Sequence, residues 1–349
     1  MILEEKFTSQ VKEWILSDIV AVEPISGGRN SKTYKIYTAN NRAYTLKCYF
    51  QHISDPRDRM GTEFNSLSFL WAHGFRNIPQ PIASDKVNSC ALYQYVDGSK
   101  LLPENLSEND VVAASDFLEQ LRQLGLKTRS EEFSAASEAC FSVRDLLANL
   151  DLRRQRFLTT LGLTPNLSLL QDFLQQEYDP ICEKLREQAY SRNWYDKELS
   201  IDHRILSPSD FGFHNTIRRI DGTLIFLDFE YFGWDDPVKT LCDFLLHPAM
   251  QLEQNMKIKF FTCFSQHFRR DDILFAERSS LCYRLYALKW CLIILNEFLP
   301  DHWDRRSFAG QCDGMKSQIQ LEQLAKAKKM MEYALERRNW LDSMLGVSK

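Results

Sequence analysis

No two of the nine cysteines form a C-x-x-C pair: Cys48, Cys90, Cys140, Cys182, Cys242, Cys263, Cys282, Cys291 and Cys312 are scattered along the 349 residues. An odd, unpatterned set excludes a disulfide framework or a thiolate zinc site and points to reduced thiols in the cytoplasm. Charge of neither sign is in excess. The formal net charge is −4, so neither nucleic acid nor an anionic membrane surface attracts the chain in bulk. Long apolar runs are missing too. The most apolar stretch, Trp290-Cys-Leu-Ile-Ile-Leu295, is far too short to span a bilayer and reads as the middle of a core helix. The first residues, Met1-Ile-Leu-Glu-Glu, carry acids where a signal peptide would carry bases. There is no internal repeat and no low-complexity segment. What remains is an ordinary apolar fraction in a chain long enough for two lobes with real cores.

The densest signal is Asp210-Phe-Gly-Phe-His-Asn215, followed thirteen residues after Asn215 by Asp228-Phe-Glu230. Between them lie Thr216-Ile-Arg-Arg-Ile220, the turn dipeptide Asp221-Gly222, and the apolar run Leu224-Ile-Phe-Leu227. Alternating and apolar segments around Asp-Gly predict a hairpin with a two-residue turn. Such a hairpin brings Asp210, Asn215 and Asp228 to one edge. Two carboxylates and an amide make a hard, oxygen-only donor set suited to magnesium and phosphate groups. Asp and Asn are also ordinary loop residues, so the reading depends on what stands upstream.

Upstream, Val20-Ala-Val-Glu-Pro-Ile25 and Thr33-Tyr-Lys-Ile-Tyr37 read as strands around the turn Ser26-Gly27-Gly28-Arg29-Asn30-Ser31. Glycines at such a turn let backbone N–H groups approach a phosphate, although a plain hairpin needs them as well. Ala43-Tyr-Thr-Leu-Lys-Cys-Tyr49 is a third strand. Tyr44, Leu46 and Cys48 share one face of it, so Lys47 projects from the other with Thr45 and Tyr49. A strand lysine is ordinarily a solvated charge unless an acid partners it. Glu63 stands in the next predicted helix, beside the stripe Phe64, Leu67, Leu70 and Trp71. Ile78-Pro-Gln-Pro81 then enforces extended chain, and Cys90-Ala-Leu-Tyr-Gln-Tyr-Val96 is a further strand closed by Asp97-Gly98.

This ordered set resembles the aminoglycoside phosphotransferase and choline kinase family, small-molecule kinases with a protein-kinase-like fold. The likeness runs from about residue 20 to about residue 300 and rests on Gly27-Gly28…Tyr34, Lys47, Glu63, Gln94-Tyr-Val-Asp-Gly98, Asp210…Asn215 and Asp228-Phe-Glu230. It implies an α+β fold of two lobes. An antiparallel-sheet, nucleotide-binding lobe would span residues 1–97, and a mainly helical lobe, carrying the catalytic hairpin and the acceptor site, residues 98–349. ATP would lie in the cleft. The resemblance implies Asp210 as the base that orients the acceptor hydroxyl, with Asn215 and Asp228 as magnesium ligands. Lys47 would hold the α- and β-phosphates, braced by Glu63. Gly27, Gly28 and Ser31 would line the phosphates, and Gln94, Tyr95 and Val96 would form the hinge that meets adenine. The cofactors implied are ATP and Mg2+, and the partner is a small hydroxyl-bearing acceptor.

Two departures from the family pattern stand out. The family's loop usually reads His-Gly-Asp, where this chain has Pro208-Ser209-Asp210. After Asp236-Pro237 it commonly has Asp-Leu-Ala, where this chain has Thr240-Leu241-Cys242, with Asp243 close by to take over the role. Pro208 favours a rival reading, a non-catalytic nucleotide sensor or scaffold. A protein kinase is disfavoured because no activation segment follows Glu230.

The remainder is helical in pattern: Val111–Leu124, Phe141–Leu158, Leu169–Leu185, Tyr283–Phe298 and Gln320–Leu335. Arg153-Arg154-Gln-Arg156 reads as a solvated helix face rather than a phosphate site. Asp228 to Asp243 holds five acids against the single base Lys239. Part of that charge would serve magnesium, and the rest would face a cationic acceptor such as an amino sugar or choline. Trp234, Trp290 and Trp303 are candidates for its aromatic wall, or simply core. His214 reads as a positioning residue.

Overall fold

A computed structural model describes residues 5–25, 31–51, 57–129, 133–158, 166–300, 302, 316–335 and 340–346. In chain order it contains α1 (Glu5–Ile15), β1 (Ile19–Ile25), β2 (Ser31–Thr38), β3 (Ala43–Tyr49), α2 (Arg59–Ala72), β4 (Pro81–Asp85), β5 (Cys90–Gln94) and β6 (Ser99–Lys100). Then follow α3 (Glu108–Thr128), α4 (Val143–Leu158), α5 (Leu167–Asp172), α6 (Asp179–Tyr190), β7 (Ile205–Ser207), β8 (Thr216–Arg218), β9 (Leu224–Phe226) and β10 (Gly233–Asp235). Helices α7 (Pro237–Leu246), α8 (Gln254–Ser265), α9 (Phe275–Ile294) and one over Lys316–Leu335 complete the main elements. The α+β composition agrees with the sequence pattern. Gly27, Gly28 and Trp303 lie outside the described residues.

By packing, the described residues form two compact units. One takes those of Met1–Leu102 and Gly212–Phe232; the other takes those of Pro103–Phe211, Gly233–Trp303 and Asp313–Lys349.

The first unit is built on a sheet of order β1-β2-β3-β5-β4, antiparallel throughout. Its strands have two differently used faces, because successive side chains alternate. Val11 of α1 packs with Ile36, Tyr44, Leu46, Cys90 and Leu92 into a buried cluster, and Cys48 lies against it. The opposite face is left for Thr45, Lys47 and Tyr49, the division the alternation predicts. Helix α2 starts where the Asp58 side chain accepts from the Gly61 amide at 2.9 Å, an N-cap that fixes which turn carries Glu63. Its Met60, Glu63, Leu67 and Leu70 are buried.

The hairpin β8–β9 belongs to this unit, whereas the sequence reading places it with the helical part. It pairs with β6, and Asn77 donates to the Leu224 carbonyl and accepts from the Phe226 amide. Its turn is one residue longer than expected. Arg219 N–H donates to Thr223 O, and Gly222 N–H donates to Arg219 O with Gly222 at φ +85°. That leaves a three-residue loop with a left-handed glycine, a geometry an L side chain rarely adopts.

The second unit is helical around α9, which is buried on most of its circumference. Trp290, Cys291 and Leu292 are buried in it, as the sequence predicts for that stretch. No described helix is long and apolar enough to cross a membrane. A file of phenylalanines, Phe117, Phe211, Phe244, Phe260, Phe264, Phe268 and Phe275, runs ring against ring through the core, stacked except for the tilted pair Phe264–Phe268. The predicted helix Leu169–Leu185 is interrupted. Phe173–Tyr178 widens into a π-helical turn ahead of Pro180, which has no N–H to continue the ladder. Short strands β7 and β10 pair antiparallel and bracket the loop that carries Asp210.

Candidate active site

In the first unit Lys47 meets the acid that the sequence proposes for it. Its Nζ lies 2.6 Å from Glu63 Oε2 and 2.7 Å from Asp228 Oδ1, with Glu230 Oε2 at 3.8 Å. Glu63 is held by further donors: the Tyr49 hydroxyl at 2.7 Å and the Phe229 amide at 3.4 Å. Tyr49 in turn shares a 2.8 Å hydrogen bond with the Tyr93 hydroxyl. Arg59, itself buried, stands 3.5 Å from Glu230.

The electrostatics follow from burial. Desolvation works to strip the Lys47 proton, but Asp228, Glu63 and Glu230 outweigh it and hold the ammonium well above the usual lysine range. Burial raises Glu63 although Lys47 opposes it. Glu230 is pushed up to about 7 by burial and then by the Asp228 charge. If Arg59 is set against Glu230 and Lys47 against Glu63, the Asp228 charge is left over. Asp228 is also the accessible member: its side chain is 35% exposed, against 6% for Glu63 and 3% for Glu230.

Asn215 is brought to Asp228 by the hairpin ladder, since the Leu227 amide donates to the Asn215 carbonyl at 2.8 Å. Asp228 has φ +66°, left-handed backbone that is uncommon outside glycine. Strain of this kind persists where the surroundings over-determine it, and it concentrates at functional sites. Carboxylate oxygens of Glu63, Asp228 and Glu230 lie within 4.8 Å of one another. An all-oxygen set with one unbalanced negative charge fits a hard divalent cation.

The hinge residues differ among themselves. The Gln94 amide donates to Gln80 O at 2.8 Å and the Tyr95 amide to Ala43 O at 3.2 Å, so both serve the sheet. Among the described residues none accepts from the Val96 amide. Ser31 opens β2, buried and paired with Tyr49.

In the second unit Asp210 follows β7 and is anchored on both sides. Phe211 stacks between Phe117 and Phe244, with centroids at 5.8 and 6.0 Å. Ser209 sits at φ +68°, its amide donating to Ser207 Oγ at 3.0 Å. His247 Nε2 is 3.5 Å from Asp210 Oδ1. The sequence reading missed His247, and no local signal marks it, because it lies just past α7 and only packing brings it to Asp210.

The acids after Glu230, namely Asp235, Asp236 and Asp243, are engaged internally, which corrects the expectation that they face a cationic acceptor. Asp235 pairs with Lys239 at 2.7 Å, and Asp243 with Lys239 at 3.2 Å. Asp236 caps α7 through the Val238 amide and pairs with buried Arg278. Trp234 and Trp290 are buried, Trp290 donating to Asp243 at 3.0 Å, so both are core. Arg153 and Arg154 pair with Glu138 and Asp179 and are mostly covered, so this face is ion-paired rather than the solvated one the sequence suggests.

Comparisons with known proteins bear on the family and the fold. The model of the phosphotransferase enzyme family, APH, matches residues 21–250. No curated protein matches the sequence. Among solved structures, the AMP-bound complex of spectinomycin phosphotransferase APH(9)-Ia superposes with a TM-score of 0.67 at 10% identity, covering 97% of this chain and 100% of that one. The gentamicin complex of APH(2")-IIa gives 0.60 at 17% identity, with coverage of 95% and 97%. Choline kinase LicA from Streptococcus pneumoniae gives 0.58 at 16% identity, with coverage of 94% and 99%. At these identities the likeness is one of fold, the protein-kinase-like fold that the motif order implies.

Proposed function

From the premise that the chain belongs to the phosphotransferase enzyme family, we propose that it moves the γ-phosphoryl group of magnesium-ATP to a hydroxyl of a small molecule. The observation that carries this reading is Lys47 held between Glu63 and Asp228. A buried ammonium fixed by one acid and facing a second, more accessible one is the arrangement needed to grip phosphates beside a metal-binding carboxylate.

Asp228, with Asn215 beside it, would hold the magnesium ion. When bound, that ion neutralises phosphate charge as the transferred group moves. Lys47 would turn from Asp228 to the α- and β-phosphates while Glu63, fixed by Tyr49 and the Phe229 amide, keeps it in place. The Val96 amide, uncommitted to the sheet, would meet the adenine edge. Asp210 would orient the acceptor hydroxyl and take its proton as the new oxygen–phosphorus bond forms. The bond from the γ-phosphorus to its bridging oxygen then breaks, leaving ADP. The protein contributes alignment and charge compensation rather than covalent chemistry.

The acids after Glu230 give no support to a cationic acceptor, since Asp235 and Asp243 are engaged by Lys239 and Asp236 by Arg278. The test is magnesium-dependent ATP consumption across gentamicin, spectinomycin, choline, ethanolamine, sugars and nucleosides, with Asp210→Ala alongside. Acceptor-dependent turnover that the variant loses establishes the kinase and its substrate class. Magnesium-ATP binding without turnover on any acceptor would leave a nucleotide sensor or an acceptor outside the panel.

A further inference from the structure

Ser209 occupies the position where the family pattern has glycine, and its backbone keeps the left-handed conformation, φ +68°, that glycine would prefer. A serine there needs a reason. Its hydroxyl donates to Ser137 O at 3.0 Å and accepts from Lys239 Nζ at 2.8 Å, while its amide is taken by Ser207 Oγ. Lys239 is buried, and its three donors meet three acceptors: Ser209 Oγ, Asp235 at 2.7 Å and Asp243 at 3.2 Å.

The contacts close into a ring around Asp210. Lys239 binds Asp243, which accepts from Trp290 Nε1. Trp290 meets the His247 ring edge-on at 4.6 Å, and His247 stands 3.5 Å from Asp210, the neighbour of Ser209. The chain's two departures from the family pattern border the same ring. Pro208 adjoins Ser209, and Thr240, next to Lys239, has its Oγ1 at 3.5 Å from Ser207 Oγ.

We propose that Lys239 is a positioning residue for phosphoryl transfer, holding the Asp210 loop through the Ser209 hydroxyl, beside the Pro208 that stands where the family pattern has histidine. The inference rests on the reading of Asp210 as the base. Lys239 touches neither substrate nor nucleotide in this scheme; it fixes where the Asp210 carboxylate points. Misplacing a reacting group by about 1 Å costs on the order of a hundredfold in rate.

Replacing Lys239 itself would strand two buried acids, so the informative variants are Ser209→Gly and Ser209→Ala, with Asp210→Asn as control. Turnover of magnesium-ATP is measured with the acceptor that the panel identifies, or with water as acceptor. Melting temperature and hydrogen exchange over residues 207–211 are measured in parallel. Both serine variants are expected to lower kcat by about tenfold or more, leave KM for magnesium-ATP within about twofold, and speed exchange over 207–211. Ser209→Gly should lose less melting temperature than Ser209→Ala, since glycine suits the left-handed backbone there. Wild-type kcat and exchange in both variants would overturn the proposal. So would a Ser209→Gly variant in which KM rises and melting temperature falls in step with kcat, the pattern of a merely structural role. Turnover surviving in Asp210→Asn would sink the base assignment separately. The exchange data then decide the clamp, as they do if no turnover is found: unchanged exchange overturns it.

Discussion

Lys47 Nζ lies 2.7 Å from Asp228 Oδ1 across 181 positions of sequence. This contact joins the strand face of the sheet to the acid that closes the hairpin, and Glu63 completes it from a third element. Lys47→Met would leave Glu63 and Glu230 buried with a charge uncompensated. Removing one partner of a buried pair typically costs about 3–5 kcal/mol. The variant should therefore lower both the melting temperature and kcat/KM for magnesium-ATP, the latter by about a hundredfold or more. Steady-state kinetics beside a thermal melt checks both.

Asp210 and Asp228 should separate by phenotype. Asp210→Ala removes the proton acceptor, so turnover should fall by about a hundredfold to ten-thousandfold with nucleotide affinity unchanged. Asp228→Ala should instead abolish the part of ATP affinity that depends on magnesium. Calorimetric titration of ATP into each variant, with and without the metal, distinguishes them. Wild-type transfer rates in both would refute the site assignment.

Tyr49→Phe tests how Glu63 is held. The change removes one donor to the Glu63 carboxylate and the hydroxyl partner of buried Tyr93. An unpaired buried polar group costs about 1–3 kcal/mol. A drop of several degrees in melting temperature is expected, with a few-fold rise in KM for ATP as Lys47 loses its brace.

Glu138 gives a prediction in pH. Burial pushes its carboxyl up, but Arg153 at 2.6 Å and Lys289 at 3.4 Å prevail and hold it well below the usual carboxylate range. A carboxyl depressed in the folded state stabilises above its unfolded pKa of about 4.3, and that stability is lost as pH falls toward the folded value. Glu138→Gln should thus melt below wild type at neutral pH, with the gap narrowing as pH drops below about 4. A gap independent of pH would show that packing, not charge, carries the effect.

Much of the first unit was legible because its signals are local. Alternation along Ala43–Tyr49 assigned Lys47 its face, the stripe of Phe64, Leu67 and Leu70 placed Glu63 on a helix, and Asp221-Gly222 marked the turn. Helix α1 and the pairing of β7 with β10 were not read, the strands being only three residues each. The acids after Glu230 were misread for want of a signal that was present. Lys239 stands four residues after Asp235 and four before Asp243, the spacing at which helical side chains meet. The end of that run contradicted a free acidic wall before any fold was known.

The sequence by itself determined the order of the motifs, the α+β class and the residue types able to handle a phosphate and a hard cation. Those follow from periodicity, turn chemistry and donor type, which act over a few residues. Only the tertiary structure decided which charges remain available. Whether an acid faces a ligand or a lysine depends on partners far away in the chain, as Asp228 meets Lys47, Asp236 meets Arg278 and Asp210 meets His247. Burial then makes each pairing consequential, because in a low-dielectric interior a charge without its partner is too costly to leave alone.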